Sequence, residues 1–104
     1  MSATLSPAPL TFSQAQDALG SKSRRKIGHN TELVRDGEKI YATYHGNEIV
    51  EYSEAGVMAT WAGWATSTTR DRLNKLTTGR FNIKNREPHI NGQPVGWSDW
   101  VEIR

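Results

Sequence analysis

Three turn signals divide residues 31–61 into four short runs of alternating side chains, and this restricts the fold more than any other feature of the chain. Asp36-Gly37 separates Thr31–Val34 from Lys39–Tyr44. Gly46-Asn47 separates that second run from Glu48–Tyr52, and Glu54-Ala55-Gly56 leads into Val57–Trp61. Asp-Gly and Gly-Asn pairs favour the left-handed backbone of tight hairpin turns. Parallel neighbours need crossovers of about a dozen residues, so connections this short leave an antiparallel meander. Ile40, Ala42 and Tyr44 share one parity and Tyr41, Thr43 and His45 the other. Glu48, Val50 and Tyr52 oppose Ile49 and Glu51, and Val57, Ala59 and Trp61 oppose Met58 and Thr60.

Helical signals lie on both sides of the meander. Phe12, Ala15, Ala18 and Leu19 recur on one helical face, which predicts a helix over 11–19, started by Thr11 or Ser13 and ended by Gly20. Residues 1–10 carry Pro7 and Pro9 and no charged side chain, and read as a mobile N-terminal tail. After the meander, Ala62-Gly63-Trp64 breaks the last run. Thr69–Leu76 then reads as a helix, with Thr68 and Asp71 as a capping box and Leu73 and Leu76 as its apolar stripe. Arg80–Arg86 has Phe81 and Ile83 on one face of a strand. Glu87–Val95 reads as a loop or edge hairpin, and Trp97–Ile103 as a final strand. The expected fold class is α+β: an antiparallel β-meander of about five to six strands, with a short N-terminal helix and one helix after the fourth strand. Residues 11–104 are expected to form one domain.

Composition narrows the functional classes. The chain has no cysteine, which excludes disulfides and Cys-ligated zinc. His29, His45 and His89 make no HxH, HxxxH or HExxH spacing, and no nucleophile elbow, Walker loop or dinucleotide fingerprint is present. The expectation is a protein that is not an enzyme and uses no cofactor or metal. No apolar run approaches the roughly 18 residues of a membrane span. MSATLSPAPL has neither the basic start nor the apolar core of a secretory signal, so no signal peptide and no membrane partner are expected.

Charge is segregated although the net value is only +2. Lys22, Arg24, Arg25 and Lys26 form an acid-free cationic segment inside Ser21–Asn30, either a solvated connector or a phosphate-contact segment. Residues 32–54 carry six acids against Arg35 and Lys39, and residues 70–86 carry six cations against Asp71. These charges either neutralise one another or form a basic face. Trp61 and Trp100 are expected to serve in packing at the core and its rim. Trp64, after a glycine in a polar turn, is the candidate for an exposed ring that stacks on a base or anchors a partner. The candidate binding set is Arg24, Arg25, Lys26, Trp64, Arg70, Arg72, Lys75 and Lys84.

The runs GSKSRRKIGHNTEL, YHGNEIV and AGVMATWAGWATSTTRDRLNKL, within roughly residues 18–76, resemble a widespread family of small phage-encoded proteins of unknown function. Arg25, Lys26, Asn30, Thr31 and Leu33 match its first motif. Gly63, Trp64, Thr68, Thr69, Asp71, Arg72 and Asn74 match its last. The sequence departs at Glu32, where the family has tyrosine, at Ala62, where it often has glycine, and at Arg70, where it has lysine. The resemblance implies a phage origin and a site in the cytoplasm of a bacterial host, and implies no activity. Two readings follow. One is a binder of nucleic acid, DNA or RNA, through a basic and aromatic face. The other is a phage-encoded inhibitor of a host or anti-phage defence protein, in which Glu48, Glu51 and Glu54 mimic phosphate. Oligomeric state is not legible in the sequence.

Overall fold

The computed structural model describes residues 4–64 and 66–103. The helix α1 (Phe12–Leu19) is followed by five strands, β1 (Arg24–Gly28), β2 (Thr31–Asp36), β3 (Lys39–Tyr44), β4 (Asn47–Ser53) and β5 (Gly56–Ala59). Then come the helix α2 (Ser67–Leu76) and four short strands, β6 (Phe81–Lys84), β7 (Glu87–Ile90), β8 (Gln93–Pro94) and β9 (Val101–Ile103). An antiparallel sheet runs in the order β1-β2-β3-β4-β5-β9, and β6, β7 and β8 form a second, three-stranded sheet.

The meander of residues 31–61 has the expected connections, with one turn shifted. His45 and Gly46, at φ 52° and 79°, form the β3–β4 turn, so Asn47 is already the first residue of β4. A bulge between Ala42 and Thr43 aligns Ala42 with Val50 and Thr43 with Glu48. The extra residue, Ile49, is buried along with Val50, so the strict alternation read along this run breaks there.

The cationic segment is a strand, not a connector: β1 pairs with β2 along the sheet edge. It adds one strand ahead of the meander, so α2 follows the fourth strand of the meander and the fifth of the chain. The C-terminal region also differs from the expectation. Phe81–Lys84 starts a separate small sheet, and only Val101–Ile103 returns to pair with β5.

The pleat assigns the faces. Leu33, Ala42, Val50 and Ala59 form one cross-strand row, and Ile40, Tyr52, Val57 and Ile103 another. Both helices pack against this inner face. Ala15 and Leu19 come from α1, Leu73 and Leu76 from α2, and Trp61, Phe81 and Ile90 complete the core. Trp61 meets Phe81 edge to face at 5.9 Å. Asn74 fastens α2 to the small sheet, because its Nδ2 donates to Phe81 O at 3.0 Å and its Oδ1 accepts from Phe81 N at 2.8 Å.

Residues 4–10 lie against the core rather than apart from it. Leu5 packs on the cluster, Pro9 is buried, and Ser6 N donates to Ile27 O of β1 at 2.9 Å. Residues 1–3 of the expected tail fall outside the described residues.

Candidate functional site

At one end of the meander an aromatic hollow of about 170 Å³ opens to solvent, lined by Tyr44, His45, Asn47, Trp64, Thr66, Thr68 and Thr69. Three local structures build it. The β3–β4 turn presents Tyr44, His45 and Asn47, with the Tyr44 and His45 rings 4.3 Å apart and tilted by 51°. The turn after Trp61 carries Ala62 and Gly63 at φ 52° and 80°. It is closed by Trp64 N donating to Trp61 O at 2.9 Å, and moored by Gly63 N donating to Trp97 O at 2.7 Å. It leaves Trp64 58% exposed, as its polar surroundings in the sequence suggested. The third wall is the first turn of α2.

That turn is capped one step earlier than the sequence indicated. Thr66, not Thr68, is the N-cap: its Oγ1 accepts from Thr69 N at 3.3 Å. The same hydroxyl bonds those of Thr68 and Thr69 at 3.2 and 3.0 Å. The threonine hydroxyls are thus linked through Thr66 and form the floor of the hollow. Asp71 serves α2 instead by pairing with Lys75 at 3.3 Å.

Arg72 was expected on the surface and is 4% exposed. Its Nε donates to Thr31 Oγ1 at 3.3 Å, Nη2 to His29 O at 3.2 Å and Nη1 to Thr68 O at 3.3 Å. Its guanidinium carbon lies 4.3 Å from the Tyr44 ring centroid, in cation–π contact. Arg72 therefore ties α2 to the start of β2 and fixes one wall of the hollow. The reason is geometric: with Leu73 packed inward, its neighbour Arg72 also lies at the sheet, where carbonyls, a ring and the Asp71 carboxylate, 3.8 Å from Nη1, take up its charge.

The structure disperses the other candidate cations. Arg24 and Lys26 pair across the register with Val34 and Glu32 on the outer face of the sheet, and Arg24 Nε lies 3.4 Å from Glu32 Oε2. Arg25 alternates to the opposite face and donates to Ala18 O at 2.6 Å, in the last turn of α1, where a cation suits the helix dipole. Arg70 is exposed, and its backbone N–H closes the first turn of α2 on Thr66 O at 3.0 Å, one turn from the hollow. Lys84 belongs to the second sheet. Of the candidates, only Trp64 lines the hollow, and the exposed Arg70 follows the lining residue Thr69 in α2; Arg24 and Lys26 lie on the outer sheet face, away from α2. Trp100 is 39% exposed and meets Tyr41 edge to face at 6.4 Å on the outer sheet surface, a rim position. There the Tyr41 hydroxyl is pushed up from its ordinary range by desolvation and then by Glu51, while Glu51 raises Lys39 by a hydrogen bond.

Tyr44, His45, Asn47, Thr66, Thr68 and Thr69 line the hollow and lie outside the candidate binding set read from the sequence. The signal for the first three was the Tyr-His-Gly-Asn run, whose turn was placed one residue too late. Among the described residues no group of three or more His, Cys, Asp or Glu is placed to hold a metal ion, and no helix is long and apolar enough to cross a membrane. Neither a curated protein nor a solved structure matches the chain. The family model of the Kyanoviridae Gp96 protein matches residues 10–102, nearly the whole chain, and the protein therefore belongs to this family of phage proteins.

Proposed function

We propose that the protein binds single-stranded nucleic acid, in the cytoplasm of the host cell, by stacking an unpaired base in the hollow. The observation that carries this reading is the exposed Trp64 lining the same small cavity as the Tyr44–His45 pair, with the exposed Arg70 next in the chain to the lining Thr69. Stacking on aromatic side chains contributes about 1–3 kcal/mol per base and requires a base already out of a duplex. The dispersal of the cations argues for a ring-led contact rather than a phosphate-led one. Fluorescence anisotropy with labelled 12-mers tests it. Single-stranded DNA or RNA binds more tightly than duplex, Trp64→Ala weakens binding by roughly tenfold or more, and the logarithmic salt slope is shallow, about −0.7 to −1.4, as for one or two phosphate contacts on a single strand. Absence of binding to every strand at low salt overturns the proposal.

The alternative, inhibition of a host or defence protein, draws support from the outer sheet face. Glu48 and Glu51 accompany the half-buried Tyr41 and Met58 and the exposed Trp100 there. On that reading, Glu48→Lys with Glu51→Lys abolishes a nuclease-resistant complex with a purified host protein while leaving oligonucleotide binding unchanged.

A further inference from the structure

The lining of the hollow is specific enough to suggest which base it takes. Its volume, about 170 Å³, falls below the roughly 300–1,000 Å³ of pockets for drug-sized ligands and suits one planar ring system. Among the described residues no Asp, Glu, Lys or Arg lines it, which favours a neutral group, the base rather than its phosphate. The Thr66 hydroxyl bonds those of Thr68 and Thr69 and accepts from the Thr69 backbone N–H. The lining amide is Asn47, whose backbone register with Tyr44 fixes it at the mouth beside the rings.

We infer that the hollow is a site for a single unpaired adenine, with Trp64 and the Tyr44–His45 pair against its faces and the Asn47 carboxamide on its edge. An amide carries a donor and an acceptor side by side, and adenine presents the matching acceptor N7 and donor N6. Guanine presents two acceptors on that edge and is matched by arginine or lysine, neither of which lines the cavity among the described residues. A pyrimidine offers one ring to walls that include an indole and stacks on less area. Arg70, exposed and next in the chain to the lining Thr69, is the cation available to the phosphate of the bound nucleotide.

This inference rests on the nucleic-acid reading, and the experiment separates the two. The probes are labelled 12-mers of deoxythymidine, either uniform or carrying one central dA, dG, dC or abasic position. The single dA tightens binding about tenfold over the uniform strand, and dG, dC and the abasic position do not. Asn47→Asp, which removes the amide donor at an exposed strand end, abolishes the dA preference while keeping binding to the uniform strand. Asn47→Ser does the same and guards against misfolding of the first variant. Equal affinity for all the strands, or a dA preference that survives both substitutions, overturns the adenine site while nucleic-acid binding stands. Binding to none of them overturns both.

Discussion

At the scale of single residues, Arg72 shows best how a surface reading inverts. Its position in a cation-rich helix made it look free, yet its guanidinium bonds two carbonyls and a hydroxyl beneath Tyr44. Sequence periodicity locates Leu73 inward but does not say how far the buried arc extends to its neighbours. The expectation is that Arg72→Ala lowers unfolding free energy by about 2–4 kcal/mol, because buried acceptors lose their donors. Arg72→Lys restores less than half of that, since an ammonium lacks the planar fork. Arg70→Ala stays within about 0.5 kcal/mol; urea denaturation distinguishes the three. Ala62 is the second instructive residue. It holds φ 52°, a conformation that glycine adopts without strain. Ala62→Gly is expected to raise the denaturation midpoint, by about 0.5–1 kcal/mol in stability. A lowered midpoint would show that the alanine methyl contributes packing that outweighs the backbone strain.

At the scale of elements, the meander was legible because turn chemistry and alternation agree, and α1 because Thr11 and Gly20 bound an apolar face. β1 was not legible. Four of its five residues are Arg, Arg, Lys and Gly, and only Ile27 is buried. An edge strand needs apolar side chains on one face at most, so composition hides it among loops. The α2 cap was displaced for a related reason. Thr66, Thr68 and Thr69 are near-equivalent letters, and the choice depends on which of them has extended backbone; Thr66 does, at φ −116° and ψ 161°. Thr66→Ala is therefore expected to cost about 1 kcal/mol. Thr68→Ala, at the position favoured by the sequence pattern, costs distinctly less. Thermal unfolding of the two variants decides between the caps, and a reversed order would restore Thr68. The candidate site followed the same pattern: Trp64 was visible as an exposed ring, but its companions come from a turn whose register only the fold sets.

At the scale of the whole molecule, one buried hydroxyl joins three parts of the chain. Tyr52 Oη, on the inner sheet face, lies 2.7 Å from Leu76 O at the end of α2 and 3.0 Å from Pro9 O. Its single proton goes to the shorter contact. Burial raises its pKa well above the ordinary phenol range. The stability tied to this neutral form is fully present below the unfolded-state value of about 10 and is lost progressively as pH rises beyond it. Tyr52→Phe should accordingly flatten the loss of stability between about pH 10 and 11.5, measured by denaturation at each pH. An unchanged slope would assign the alkaline loss to other groups. The segment that carries Pro9 has a further consequence. Ser6 bonds the edge of β1, and Gly28 leaves the room: a β-carbon there would meet Leu5 Cδ2 at 2.5 Å. The chain thus covers part of its own open sheet margin, the margin most exposed to strand addition from a neighbouring molecule. Removing residues 1–8 should turn a monodisperse solution into one whose light scattering climbs with concentration, with Arg24 and Lys26 left as the remaining guard against self-templated growth.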